Sequence, residues 1–462
     1  MEFNTRFFQE FADACSKQDG PQLARTLSPD IPTEELREIC NSQNAHDIKR
    51  VLKRGLQGSA ALVGGLGQQE VQGWVEIYTT YWNAARTILV ARESSDDRRQ
   101  SSQSDLVWTK VYAAWTELLN VLLRGYQNNG IEAWTLPCMY VVCKHLRLFA
   151  MEADEERNNS SSVDESAAPS LQDDFNPETN KRQKLEDCAR VLSRVFTACQ
   201  SDRAPLEESR KWGSYYLANL LLKTYFKLNS TSLSKNIMNS LFAGGKDMPD
   251  LSAFPKSQQV TFKYHQGVLA FLEENYVAAE QHLTDAWNNC HKDAVRNKER
   301  ILTYLIPCRL IKDHMLPTEK LLAQYPRLQK LFLPICRCIK RGELHNFDLA
   351  LQEGEDELVK RRIYLTLERG RDLALRNLLR KVFIARGFEE AKEGEKPARR
   401  SRVPVTEFAA AISLGSQERI DNDEVECLLA NMIYKNHMKG YISRQHGIVV
   451  LSKSGAFPGT GV

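Results

Sequence analysis

Apolar residues recur along most of this chain at intervals of three and four positions, the period of an amphipathic α-helix. The two widest apolar stripes consist of Trp108, Tyr112, Trp115, Leu118, Leu119 and Leu122, and of Leu217, Leu220, Leu221, Tyr225 and Phe226. A stripe of this width must be covered on both flanks, and stacked helix pairs would cover it. We therefore expect helices to dominate from residue 1 to about residue 386.

One predicted helix pair, at residues 264–286, has the small and large positions of a tetratricopeptide repeat. These positions are Gly267, Tyr276, Ala279, Leu283 and Ala286. The small residues would let two helices approach, and the large residues would fill the groove between them. The match is partial, because Gln266 and Ala270 stand where the repeat prefers large apolar residues. No second copy matches as well, so the pattern predicts degenerate helical repeats.

The C-terminal region follows a different pattern. Asp421 and Glu424 are spaced for a capping box, and an apolar helical stripe follows them and stops at Gly440. Two β-prone runs, 441–443 and 448–451, then predict a hairpin. The third helix of the region is thus expected to lead directly into two strands.

Two further helices, 365–386 and 405–412, are predicted in front of that third helix. Three helices followed by a hairpin are the order of a winged helix. The sequence therefore predicts an all-α protein, in which a tetratricopeptide-like helical repeat array is capped by a C-terminal winged helix.

Two segments interrupt the helical pattern. Residues 151–180 hold nine acidic residues against one arginine, with few aromatic residues, and we expect an acidic disordered insertion there. Residues 389–404 are rich in charge, glycine and proline and are expected to form a mobile loop. The expected boundaries are 1–150 for N-terminal helical repeats, 151–180 for the insertion, 181–364 for further repeats, 365–455 for the winged helix and 456–462 for a tail.

The composition of the 462 residues, 42% hydrophobic and 26% charged, excludes a wholly disordered or fibrous chain. Eleven cysteines form an odd set without repeated spacing and lie mostly among apolar residues, which favours buried thiols over disulfides. The N-terminus lacks a basic segment followed by an apolar one, and no apolar run approaches the roughly 18 residues of a membrane span. We expect a protein that is neither secreted nor membrane-anchored.

No segment has a recognisable catalytic, cofactor or metal motif. The glycine-rich run at 64–67 lacks the Lys-Ser/Thr of a phosphate loop, so no cofactor is expected. Cys336 with Cys338, Cys290 with His291, and Cys138 with Cys143 do not provide four ligands at zinc spacing. A nucleophile elbow, an HExxH helix and paired carboxylates on an apolar segment are all missing. The expectation is a scaffold that is not an enzyme.

The net charge of +3 is an average of opposite regions. From Lys360 onward the chain has 19 Lys and Arg against 12 Asp and Glu, whereas the segment 151–180 is strongly acidic. A winged helix can offer its third helix and its wing to nucleic acid. The candidate contacts are Arg399, Arg400, Arg402, Lys435, Lys439, Arg444, His446 and Lys453. An ordinary solvated basic face would have the same composition, so this alternative stays open.

Several segments resemble one known family. The longest is 421–446, with 449–453 and Phe457-Pro458 after it; the others are 134–140, 146–150, 208–213, 297–307 and 314–317. They closely resemble the PCI-domain-containing protein 2 family, which also includes the Thp-one subunit of transcription-export complex two and subunit twelve of the fungal signalosome. The resemblance covers most of the chain from about residue 105. Residues 151–180 and 389–404 are longer than the family pattern, so Arg399, Arg400 and Arg402 are candidates on charge alone.

The resemblance implies a PCI fold and a non-catalytic assembly subunit. Such a subunit pairs with a larger PCI scaffold protein, binds a small acidic disordered protein of the Sem type, and forms a basic platform for RNA or DNA without base specificity. The candidate partner interface consists of Ile442, Val449, Val450 and Leu451 at the hairpin, where an unpaired strand edge could accept a partner strand.

The function expected from these features is transcription-coupled mRNA export in the nucleus, with the cytoplasm open as a second location. The runner-up is a signalosome or splicing-associated subunit of the same family. A scaffold of the proteasome-lid or translation-initiation type would use the same fold without touching nucleic acid. The sequence does not choose between these assemblies.

Overall fold

The computed structural model describes residues 2–41, 47–63, 66–97, 106–164, 182–389 and 399–461. The chain divides into two compact units, Met1–His265 and Gln266–Val462. This division falls inside the range 181–364 that the sequence analysis assigns to one set of repeats. It lies within a single helix, Lys256–Leu272.

The first unit is helical throughout the part that the structure describes. Its longer helices are α1 (Glu2–Lys17), α2 (Gly20–Arg25), α3 (Thr33–Asn41), α4 (Ile48–Val63), α5 (Gln68–Asp97), α6 (Val107–Asn128), α7 (Leu136–Asp164), α8 (Gln183–Gln200), α9 (Ser214–Lys227), α10 (Thr231–Ala243) and the start of α11 (Lys256–Leu272). Helix α6 packs between α5 and α7, and α9 packs between α8 and α10. The two wide apolar stripes lie on α6 and α9, so the prediction that both flanks are covered is confirmed.

Trp115, in the core of the first unit, has a hydrogen-bond partner for its buried polar group. Its indole is fully buried, and its Nε1 donates a hydrogen bond of 2.8 Å to the backbone oxygen of Val142 on α7. The Phe149 ring meets the indole edge to face, with 5.2 Å between ring centroids. A buried indole N–H without a partner would cost about 1–3 kcal/mol. The bond to Val142 avoids this cost, so burial of the indole stabilises the fold.

The predicted insertion at 151–180 is wrong in its first part, because residues 151–164 continue helix α7. Two acidic residues of this stretch, Asp154 and Glu156, are buried and bind helix N-termini. Asp154 accepts hydrogen bonds from the amides of Lys184 and Leu185, and Glu156 accepts them from the first amides of α6. These two carboxylates therefore cap helices within the fold and are not solvated. Residues 165–180 of the insertion lie outside the described residues.

The second unit continues the helical pattern and ends in a small sheet. After α11 come α12 (Tyr276–Asn289), α13 (Val295–Asp313), α14 (Glu319–Leu322), α15 (Pro326–Arg341), α16 (Leu344–Glu353), α17 (Glu355–Lys360), α18 (Tyr364–Glu368), α19 (Gly370–Ala385), β1 (Arg402–Pro404), α20 (Val405–Ser416), α21 (Asn422–Tyr434), β2 (Gly440–Ser443) and β3 (Ile448–Leu451). The predicted repeat is the pair α11 and α12. A methyl group on Gly267 would lie 2.6 Å from Leu283 Cγ, which explains the small residue.

The last elements form a winged helix of α19, α20 and α21 with a three-stranded antiparallel sheet in the order β1-β3-β2. The capping role of Asp421 is confirmed, since its Oδ1 accepts a hydrogen bond of 2.8 Å from the Glu424 amide. Gly440 allows β2 to start here, because a side chain would collide with the Val450 carbonyl oxygen. The prediction of an all-α protein with a C-terminal winged helix is confirmed.

The predicted mobile loop at 389–404 is wrong at its C-terminal end. Arg402–Pro404 is the strand β1, and its residues pair with 448–450 of β3. Arg399 forms an isolated antiparallel bridge with Phe388. Residues 390–398 lie outside the described residues. The sheet therefore has a third strand that the hairpin pattern alone did not predict.

Candidate nucleic-acid interface

The outer face of the winged-helix sheet is where the candidate cations meet. Val403, Val449 and Leu451 point into the core and are buried. Side chains alternate between the two faces of a strand, so the neighbouring row points outward. In that row Arg402 and Tyr441 stand on either side of Val450, which is their common partner in the strand register. Arg402 is exposed, and 62% of the Tyr441 surface is accessible.

Arg400 and Lys439 extend the same face by one row. The backbone ladder continues past the strands, since Leu451 donates to the Ser401 oxygen at 2.8 Å and Ser452 donates to the Lys439 oxygen at 2.9 Å. Arg400 stands two positions before Arg402, and Lys439 stands two positions before Tyr441, so the alternation places both on the outer side. Both side chains are exposed. We call Arg400, Arg402 and Lys439 the sheet-face cations.

The sheet-face cations form no ion pair with any acidic residue in the part of the chain that the structure describes. Three positive charges on an exposed sheet face can bind phosphate groups. The accessible tyrosine ring next to them can stack on a base. The sequence indicates Tyr441 only as part of a β-prone run. Its position two residues before Ser443 and two after Lys439 is the alternation signal that could have identified it.

Two other candidates, Lys435 and Arg444, form ion pairs within the protein. Lys435 Nζ lies 2.6 Å from Asp372 Oδ2. Arg444 lies 3.2 Å from Asp423 and 3.5 Å from Glu426, both on α21. To contact a phosphate, each of these cations would have to leave its carboxylate partner, which reduces the free energy gained on binding nucleic acid. Exposed ion pairs are weak, so the cost of the exchange is small for Arg444.

Arg399, His446 and Lys453 occupy three separate positions. The Arg399 guanidinium lies over the Phe388 ring, with 4.6 Å between its central carbon and the ring centroid. His446 is exposed at the tip of the hairpin and shares a hydrogen bond of 3.0 Å with Ser443. Lys453 is exposed just after β3. The structure thus brings some of the eight candidates onto one face and leaves these three apart from it.

The third helix, α21, has the wrong charge for contact with a phosphate backbone at its start. Its cap Asp421 is followed by Asp423 and Glu424, and all three are exposed. Tyr434, near its other end, is 88% accessible, and the cation that follows it is the paired Lys435. The N-terminal half of α21 therefore offers acidic residues, and not the expected cations, to solvent.

The candidate partner interface needs a correction. Strand β3 is central and pairs on both sides, so Val449, Val450 and Leu451 have no free strand edge. Val449 and Leu451 are buried beneath the sheet, whereas Val450 is half-buried on its outer face. The free edges belong to β1 and β2. Ile442 is half-buried on β2, and a partner strand would therefore meet the β2 backbone rather than β3.

Arg376, His314 and His437 form a cluster that the sequence did not indicate. Arg376 on α19 is buried and approaches His314 Nδ1 at 3.1 Å, while the His314 and His437 rings stand 5.1 Å apart. Burial, followed by the Arg376 charge, lowers the pKa of His314 to about 4. The His314 ring is therefore neutral at pH 7, and burial also lowers the pKa of His437. The group ties the end of α13 to α19 and to the segment after α21.

Most of the cysteines lie in the core. Ten of the eleven thiols are buried, including the five that stand closest to a metal-like spacing, and Cys427 is exposed. Burial raises the pKa of the Cys308 thiol to about 12, which keeps it protonated and a poor ligand. Among the described residues, no three His, Cys, Asp or Glu side chains are grouped as metal ligands. Gly64 and Gly65 of the glycine-rich run lie outside the described residues.

Comparison with known proteins gives a consistent result. The PCI domain model matches residues 351–453. A protein of Neurospora crassa named "Protein CSN12 homolog" is 64% identical over 98% of this chain and 98% of its own length. The "Protein CSN12 homolog" of Schizosaccharomyces pombe is 39% identical over 74% of this chain and 76% of its own length. "PCI domain-containing protein 2" of Danio rerio is 32% identical over 76% and 79%. Among the described residues, no helix combines the length and apolar character that a membrane span requires.

Proposed function

The chain belongs to the family of the CSN12 homologs and PCI domain-containing protein 2, and from that premise we propose that it is a nucleic-acid-binding subunit in transcription-coupled mRNA export. The broader assignment, a PCI-domain scaffold subunit of the CSN12 type, follows from family membership. The proposal adds a nuclear location, a larger PCI partner, a small acidic Sem-type partner and contact with RNA or DNA. In this role the protein is not catalytic.

The sheet-face cations are the observation that carries the proposal. Arg400, Arg402 and Lys439 are exposed on one side of the sheet and have no acidic partner among the described residues. Each cation that neutralises a phosphate releases a counterion, which favours binding without base recognition. The contact would therefore be sensitive to salt and tolerant of sequence. The ring of Tyr441 adds a surface on which an unpaired base can stack.

Strand β2 is the element that we propose for pairing with the larger PCI protein. It has one strand neighbour, β3, and its other side is an edge. An edge strand with free backbone groups can accept a strand from a partner, and the half-buried Ile442 would then be covered. A small acidic partner would find complementary charge on the basic helices of the second unit.

The test is RNA binding by the purified full-length chain. The sheet-face variant carries Arg400→Gln, Arg402→Gln and Lys439→Gln. The α4 control carries Lys49→Gln, Lys53→Gln and Arg54→Gln, which remove the same charge from exposed positions in the first unit. We expect the sheet-face variant to bind fluorescein-labelled oligouridine about tenfold more weakly and to lower the slope of log K against log salt by about 2. Equal binding by the two variants would contradict the proposal.

The assembly is tested separately by isolating the tagged chain from cells and identifying the co-purifying subunits. An export-complex PCI scaffold supports the proposal, and loss of that scaffold in a variant with Ile442→Pro would locate the contact on β2. Signalosome or splicing proteins would favour the runner-up. A proteasome-lid or translation-initiation assembly would favour a scaffold without nucleic-acid contact, a possibility with which the acidic start of α21 is compatible.

A further inference from the structure

Helix α15 has an exposed side on which every charged residue is positive. The helix contains five cations and no Asp or Glu. The cations are Arg327, Lys330, Arg337, Lys340 and Arg341, and all five side chains are exposed. Leu328, Phe332, Ile335 and Ile339 on the opposite side are buried. The helix is therefore sharply divided between an apolar side in the core and a basic side in solvent.

The spacing aligns these cations along the helix. Arg327, Lys330, Arg337 and Arg341 follow one another at intervals of three, seven and four positions, so they share one face. At 1.5 Å per residue, the row from Arg327 to Arg341 is about 21 Å long. Pro334 fills the middle of the face. A row of this length matches several consecutive phosphates of a single strand.

Three of the five cations on α15 are available for a ligand. Arg337 lies 3.2 Å from Glu319, and Arg341 lies 3.7 Å from Glu343. Arg327, Lys330 and Lys340 form no ion pair with the residues that the structure describes. Their charge is therefore presented to solvent without compensation.

The row adjoins the winged helix. Lys381 on α19 donates a hydrogen bond of 2.6 Å from its Nζ to the Arg341 oxygen. Asn377, one turn earlier on α19, donates a hydrogen bond of 2.7 Å to the Ile339 oxygen. The C-terminal end of α15 is thus fixed against the first helix of the winged helix, and the exposed Lys381 lies next to the end of the row.

We infer that the exposed side of α15 binds the sugar–phosphate backbone of single-stranded RNA, as an extension of the winged-helix surface. The inference rests on the proposed function. Two observations favour RNA over an acidic protein. Protein docking surfaces usually have apolar or aromatic anchors, and none of the accessible large apolar side chains lies on α15. The C-terminal end of the row also lies next to the exposed cation Lys381 of α19, so a long polyanion would meet a further positive charge there.

The experiment uses the full-length chain in four forms: wild type, the sheet-face variant, the α4 control and an α15 variant with Arg327→Gln, Lys330→Gln and Lys340→Gln. Binding of a labelled oligouridine of about 30 nucleotides is measured over a range of salt concentrations. We expect the α15 variant to bind about tenfold more weakly than the α4 control and to lower the salt slope by about 2. Thermal unfolding should be unchanged, because the three side chains are exposed.

The outcomes separate the two proposals. If the sheet-face variant is weakened and the α15 variant equals the α4 control, this inference is wrong and the proposed function stands. If the wild type does not bind the oligonucleotide, the proposed function itself fails. Binding of polyglutamate, measured in competition with the oligonucleotide, tests the alternative that α15 binds an acidic protein. Loss of polyglutamate binding in the α15 variant, with RNA binding intact, would assign α15 to an acidic protein and overturn the inference.

Discussion

Asp154 accepts a hydrogen bond of 2.9 Å from the Leu185 amide, and so joins two helices that are separated in sequence by a strongly acidic segment. The neighbouring Lys184 amide donates to the other carboxylate oxygen at 2.8 Å. Both donors belong to the first turn of α8, where backbone amides lack partners within the helix. The carboxylate therefore stabilises the start of α8 and fixes it to α7.

We expect Asp154→Ala to destabilise the first unit by about 2 kcal/mol, because it leaves buried amides without an acceptor. The measurement is hydrogen exchange of peptides covering 183–200, together with urea unfolding. Glu152→Ala, an exposed acidic residue on the same helix, is the matched control and should leave both unchanged. Equal protection of α8 in the two variants would show that the cap is dispensable.

Gly267→Leu should destabilise the second unit by about 1–3 kcal/mol, since the new side chain must displace Leu283 from a filled groove. The readout is the thermal unfolding midpoint. Gly58→Ala tests the opposite case, because an added methyl group there meets nothing within 4 Å and removes a helical glycine. That variant should be slightly more stable. A tolerated leucine at 267 would mean that the α11–α12 pair is loosely packed.

Acid should destabilise the protein through His265. The ring is buried and stacked on Phe226, and burial, with smaller contributions from Lys223 and Arg147, lowers its pKa from 6.5 to about 3. Below pH 6.5 the His265 ring is protonated in the unfolded chain but stays neutral in the folded chain. The free energy of unfolding therefore falls from pH 6.5 toward pH 3. The loss is about 2 kcal/mol at pH 5. His265→Phe should flatten this dependence, whereas His291→Phe, at an exposed position, should not.

Neutralising the acids on α21 should strengthen RNA binding. Asp423→Asn with Glu426→Gln releases Arg444 from its ion pairs and removes two negative charges near the sheet. We expect the affinity for oligouridine to rise about threefold at low salt and the gain to disappear as salt increases. Glu34→Gln with Glu35→Gln, in the first turn of α3, is the control for the change in net charge. Weaker binding by the α21 variant would argue that this helix contacts RNA through its polar groups.

Features that depend on nearby residues could be predicted from the sequence. The wide stripe around Trp115, the Gly267–Leu283 contact and the Asp421 cap all depend on residues that lie close together in sequence. The same applies to the order of helices that defines the winged helix. The cations of the sheet face were identified by composition, and the alternation along the strands then placed them on one side.

Features that depend on distant partners were missed. Asp154 and Glu156 lie in a run of acids that looks solvated, and only the fold supplies the amides that bury them. Strand β1 is short and pairs with a strand far along the chain, so the hairpin pattern alone leaves β3 at an edge of the sheet. The pair of Lys435 with Asp372 joins residues on different helices. No local pattern encodes these contacts.

The strand order β1-β3-β2 has a consequence for the synthesis of the protein. The ribosome makes β1 and β2 first, yet neither contacts the other, and both depend on β3 for their backbone partners. Translation that stops before Ile448 would therefore remove the whole sheet rather than one strand of it. The winged helix can close only after Ile448–Leu451 has been produced, whereas the helices of the first unit are free to fold earlier. A nascent chain should thus leave β1 and β2 without strand partners until β3 has been made.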